Sequence, residues 1–196
     1  LPVAESLLAD KLEHLTARTQ KYEDIADAEG NPMQVPEHEY NRGEIYNLSI
    51  GRGTITAEER FKIIEHTLTG LNMLTQIPFP ENLSRVPEIA TEHHENLIGT
   101  GYPFRKKKEH LSVESRILAV ADVFEALTAR DRPYKKANSL AEALRIMGRM
   151  RDEQHLDGDI LDIFLQSGVF RQYAENYLHA EQLDVDDISS YLSSAD

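Results

Sequence analysis

The sequence has no cysteine. Without thiols there is no disulfide framework, no thiolate zinc site and no cysteine nucleophile, and the composition suits a reducing cytoplasm, where the chain is expected to act. No apolar run approaches the roughly eighteen residues of a membrane span, so this segment is expected not to enter a bilayer. Positive charge is scarce: 21 Lys and Arg stand against 34 Asp and Glu, a formal net charge of −13. A field of that sign disfavours nucleic-acid polymers as partners. It leaves room for a small anion in a locally basic pocket. Period-two alternation between hairpin turns is missing as well, which predicts strand content near zero.

What is present is an ordinary globular composition over 196 residues, 40% hydrophobic and 28% charged. That length supports one sizeable domain, or one domain with an extension. Residue 1 is Leu, and Leu1-Pro-Val-Ala-Glu-Ser lacks the basic start and apolar core of a secretory signal. A piece of a longer protein is expected, with parts of a composite site encoded upstream.

Helical spacing dominates. Leu8, Leu12 and Leu15 predict an amphipathic helix over 7–28, ended by Gly30-Asn31-Pro32; residues 30–43 read as a linker of turn formers. A short helical or extended piece covers 44–50. Thr56-Ala57-Glu58-Glu59 is a capping box, and Phe61, Ile64, Leu68 and Leu71 stripe the helix that follows to about residue 74. Further helices are expected over 85–95, 113–128 (capped by Ser112), 139–150, from Asp157 or Asp159 to 165, 169–178 and 185–192. Residues 98–112 read as an irregular loop. The architecture is all-α, a helical bundle, with an N-terminal helix and linker over 1–43 and a helical domain over 44–196.

Candidate chemistry gathers on three consecutive helices. His93 and His94 end one of them, His66 lies 28 positions earlier, and Asp122 lies 28 positions after His94. Adjacent histidines point about 100° apart on a helix, so both reach one site only at a helix end. Asp122 interrupts the apolar run Ile117-Leu-Ala-Val-Ala-Asp-Val-Phe. A carboxylate buried there needs a cation, either a metal ion or a partner such as Arg132. Imidazole nitrogen with carboxylate oxygen suits Fe, Mn, Ni or Zn. A surface histidine pair and a buried salt bridge are the plain alternatives.

Gly99-Thr100-Gly101-Tyr102-Pro103 follows the histidines directly. Gly101 and Gly99 allow positive φ or close approach to a ligand, and Tyr102 could stack on a base or bond a phosphate. A plain turn with a core tyrosine is the alternative. Two basic clusters stand out, Arg105-Lys-Lys-Lys and Arg130, Arg132, Lys135 and Lys136. Most of the first is expected to be a solvated face. Arg132 and Lys135 are better phosphate candidates. Asp10 and His14, four apart, read as a solvated pair.

Taken in order, His93-His-Glu, Gly99-Thr-Gly-Tyr-Pro and Ile117 to Lys136 resemble the HD-GYP domain, and Arg52-Gly-Thr-Ile-Thr-Ala-Glu-Glu-Arg with His66 resembles the stretch before it. The resemblance covers roughly residues 44–192. It implies an HD-type phosphohydrolase that hydrolyses the second messenger cyclic di-GMP to pGpG or GMP with two or three iron or manganese ions, usually behind a sensor or receiver domain. It assigns His66, His93, His94 and Asp122 as metal ligands, with Asp122 and His94 central to catalysis. Tyr102, Arg132, Lys135 and Gly101 would meet the dinucleotide. The chain departs from the pattern three times: no His is followed by Asp, Ile98 stands where the family loop carries Asp, and Phe104-Arg-Lys-Lys follows the Pro where a glycine is often found. A non-catalytic module that binds cyclic di-GMP or a partner protein is therefore the alternative expectation.

Overall fold

A computed structural model describes residues 8–19, 22, 26, 29–51, 55–129 and 137–193. They form two compact units, Leu1–Thr69 and Gly70–Asp196, with the boundary inside a long helix.

In the first unit, β1 (Leu15–Ala17) pairs antiparallel with β2 (His38–Asn41), Thr16 opposite Tyr40, with a register shift after Thr16. α1 (Glu44–Leu48) and α2 (Ala57–Leu74) follow. Helix α2 starts where the capping box predicts: the Glu59 N–H donates to Thr56 Oγ1 at 3.1 Å, and the Thr56 N–H donates to Glu59 Oε2 at 2.8 Å. Phe61 and Leu68 of its stripe are buried, packed with Tyr22, Met33 and Val35.

The helix expected over 7–28 is not there among the described residues. Leu8 and Leu12 are exposed and Leu15 only half-buried, so the leucine stripe faces no core. The chain is instead drawn into the hairpin by Arg18. Its guanidinium donates to the Pro36 and His38 carbonyls at 3.1 and 2.9 Å, pairs with Glu65 at 3.4 Å and lies over the Phe61 ring. These bonds hold the strand partner in place, and a local helix cannot make them. This small hairpin is the one two-stranded sheet among the described residues, and the fold is otherwise helical, as expected. Asp10 and His14 serve local backbone: Asp10 accepts the Tyr46 N–H and His14 the Lys11 N–H.

The second unit is helical throughout its regular structure: α3 (Val86–Thr91), α4 (Val113–Thr128), α5 (Leu140–Asp152), α6 (Gly158–Gln166) and α7 (Val169–Tyr177). Ser112, Ser139 and Asp157 cap α4, α5 and α6 by accepting the N–H of Ser115, Glu142 and Asp159. Helix α4 is the central element. Its Val120 and Phe124 enter a core with Leu144 and Met147 of α5, Leu161 and Leu165 of α6 and Phe170 of α7.

No helix forms over 185–192, against expectation. Val185, Ile188, Tyr191 and Leu192 still pack on the core. Their backbone is claimed elsewhere. Asp187 accepts the Ser189 N–H at 3.0 Å, while Arg171 and Arg151 donate to the Asp186 and Tyr191 carbonyls at 3.1 and 2.9 Å. A short acidic side chain that bonds its own neighbours competes with a helix.

Asp157 also ties α6 to α4. Its buried carboxylate pairs with Arg116 at 2.5 Å and Lys108 at 3.3 Å. Burial pushes this carboxyl up, but the two cations outweigh it and hold it below the usual range. A depressed folded-state pKa contributes stability that is present above the unfolded carboxylate pKa and lost as pH falls through the folded value. Asp157→Asn keeps a capping oxygen and loses the charge. It is expected to cost about 1.5–3 kcal/mol in urea unfolding at pH 7. The gap between variant and wild type should close on acidification below the ordinary Asp pKa; a pH-independent gap would assign the effect to capping alone.

Candidate functional site

Helix α3 tightens into a 3-10 turn, Glu92–His94, and the chain then turns extended at Glu95. This places both histidines at a helix end. His93 Nδ1 lies 2.7 Å from the Ala90 carbonyl oxygen. A ring nitrogen facing a carbonyl carries a proton, so in the neutral ring the lone pair is on Nε2. His66, exposed on α2 in the first unit, has the same arrangement, its Nδ1 bonded to the Ile63 carbonyl. Both imidazoles are held in a tautomer able to ligate a metal. His94 is flanked by two rings, His93 with centroids 4.0 Å apart and Tyr102 at 4.7 Å.

Tyr102 reaches His94 because the glycine loop folds back on the histidine turn. The Tyr102 N–H donates to the His94 carbonyl at 3.2 Å. Gly101 makes the approach: a Cβ there would sit 2.6 Å from both Glu95 Cα and the His94 carbonyl oxygen. The close approach that Gly101 permits is to the chain's own backbone. Positive φ belongs to Gly99, at +74°. Asn96 closes the turn, its Oδ1 accepting the Thr100 N–H at 2.9 Å. Asp122 is half-buried on α4 and lies within electrostatic reach of Tyr102. Burial pushes the Tyr102 phenol up, and the Asp122 charge adds to it.

Two buried carboxylates that sequence reasoning missed flank the histidines. Glu92 accepts the Ser115 hydroxyl of α4 and pairs with Lys106. Glu95, 4% exposed, accepts the Phe104 N–H at 2.6 Å and the Lys106 N–H at 3.0 Å. Burial pushes the Glu95 carboxyl up to about 7, against the pull of those two donors. The available signal was the pattern Glu92-His-His-Glu95 itself. The basic run 105–108 is only partly a solvated face: Lys106 pairs with Glu92 and Glu88, and Lys108 with Asp157. The structure thus brings His93, His94 and Tyr102 into contact, with Asp122 close to Tyr102. Arg132 and Lys135 lie outside the described residues.

Gly101→Ala forces a methyl against backbone atoms that cannot rotate away. It is expected to destabilise the fold by about 1–3 kcal/mol in chemical denaturation. An unchanged midpoint would show that the loop retreats freely from residues 94–96.

A family model described as HD domain matches residues 2–160. Over 115 residues the chain is 36% identical to the cyclic di-GMP phosphodiesterase PA4108 of Pseudomonas aeruginosa, covering 59% of this chain and 27% of that protein. It is 34% identical over 110 residues to the 3'3'-cGAMP-specific phosphodiesterase 1 of Vibrio cholerae, 56% of this chain and 25% of the relative. It is 40% identical over 93 residues to a cyclic di-GMP phosphodiesterase of Thermotoga maritima, 47% of this chain and 25% of the relative. The chain spans about a quarter of the length of these relatives. Among the described residues no helix is long and apolar enough to cross a membrane. The chain belongs to the HD-domain family, and its His-His-Glu turn and Gly-Tyr-Pro loop, folded against each other, resemble the motifs of the HD-GYP group.

Proposed function

We propose that this chain forms part of a metal-dependent phosphodiesterase that hydrolyses cyclic di-GMP to pGpG or GMP, in the cytoplasm and under a sensor or receiver domain encoded upstream. The observation that carries this reading is the histidine turn with a fixed tautomer and an aromatic ring laid on it. The relatives' names support the substrate class, and since they include a 3'3'-cGAMP enzyme, that dinucleotide is the second substrate to assay.

The donor set fits divalent iron or manganese, two or three ions in the intact site. His66, His93 and His94 each offer one ring nitrogen, and Asp122 a carboxylate. When bound, the ions supply Lewis acidity at phosphate oxygens and water acidic enough to attack near neutral pH. The chain's own residues do the rest. The Ala90 and Ile63 carbonyls orient the His93 and His66 rings. Tyr102 offers a face on which a guanine can stack, and so orients the nucleotide. Arg132 and Lys135 neutralise its phosphates. Gly101 serves by letting the Tyr102 loop lie flat on residues 94–96.

A second reading rests on the absence of any His-Asp pair in the sequence and on Ile98: a non-catalytic module that binds the dinucleotide or a partner protein. Calorimetry would then show binding without turnover, in a protein free of metal by elemental analysis. On the favoured reading, the intact protein loaded with Mn or Fe hydrolyses cyclic di-GMP. His93→Ala and Asp122→Ala should each lower kcat/KM about 10³-fold or more. Unchanged activity in Asp122→Ala would remove that residue from the site.

A further inference from the structure

We propose that Glu95 is a positioning residue: its carboxylate clamps the loop that carries Tyr102 onto the histidine turn and thereby sets how tightly the dinucleotide is held. This rests on the phosphodiesterase reading and adds to it a residue that touches neither metal nor substrate.

The loop is fastened on both sides of Tyr102. Before it, Gly101 lies against Glu95 Cα, and the Tyr102 N–H is bonded to the His94 carbonyl. After it, the two Glu95 oxygens take one N–H each, Phe104 through Oε1 and Lys106 through Oε2. Lys106 is fastened a second time, by its ammonium to Glu92, which is held to α4 through Ser115. Because Glu95 directly follows His94, the ring and the imidazole under it are positioned by one short stretch of backbone. A fully engaged buried carboxylate is also hard to replace. Gln offers a single acceptor oxygen and would turn an NH₂ toward the other N–H, and Ala offers nothing. Loss of an acceptor leaves a backbone N–H without its carboxylate partner beside a nearly buried side chain.

The test uses the intact, metal-loaded protein with cyclic di-GMP as substrate, and hydrogen exchange on residues 102–106. Glu95→Gln should raise KM about tenfold, with kcat within about threefold and metal content unchanged. The Tyr102, Phe104 and Lys106 amides should exchange faster than in wild type. Glu95→Ala should go further in both. If the Ala variant does not fold, the near-isosteric Gln variant decides. Equal KM and equal exchange in Glu95→Gln overturn the proposal. A fall in kcat and metal content at unchanged KM overturns it too, by making Glu95 part of the metal site. A wild type that neither hydrolyses nor binds either dinucleotide overturns the phosphodiesterase reading instead. The exchange data then decide the clamp alone, with unchanged protection counting against it.

Discussion

Burial of two carboxylates beside a histidine pair is the constraint on which the site-bearing unit turns. Glu92 and Glu95 are 1% and 4% exposed. Neither can be left without partners in such a place, since removing a carboxylate from water costs several kcal/mol unless donors replace the water. The donors are specific. Glu92 takes an ammonium and a hydroxyl, and Glu95 takes two peptide N–H groups. All but the Ser115 hydroxyl come from residues 104–106. Satisfying the two charges therefore folds the glycine loop back over the turn that carries His93 and His94. The aromatic contact between Tyr102 and His94 is a geometric consequence of that closure.

Helix α4 connects this arrangement to the core. On one face Ser115 reaches Glu92, and Asp122 approaches Tyr102. On another, Val120 and Phe124 pack among α5, α6 and α7. Arg116 joins α4 to the cap of α6. The packing face and the face toward the histidine turn thus belong to one helix set in a close-packed core. The polar links keep the helix from rotating about its own axis, a freedom that apolar packing alone restrains weakly.

The local features were legible in the sequence for a physical reason. A cap is decided by residues three apart. Thr56 with Glu59, Ser112, Ser139 and Asp157 announce their helices without knowledge of anything distant. The order of the His-His-Glu and Gly-Tyr-Pro motifs was legible too, and with it the family. What failed did so where distant groups compete for the backbone. Residues 8–17 carry leucines at helical spacing, yet Arg18 and the carbonyls of 36 and 38 favour a hairpin. Residues 185–192 are periodic as well, but Asp187, Arg151 and Arg171 satisfy their peptide groups in other ways. A periodic pattern reports which side chains seek the core. It does not report which backbone bonds are still free.

The sequence by itself determined the helical class, the starts of the main helices and the excess of acidic residues, since each depends on composition or on neighbours a turn apart. Only the tertiary structure decided that Gly101 approaches backbone, that Lys106 is an internal ion-pair partner rather than part of a solvated run, and that Glu95 holds the Tyr102 loop. Those roles arise from burial, which changes the free energy of a charge far more than any local pattern can signal.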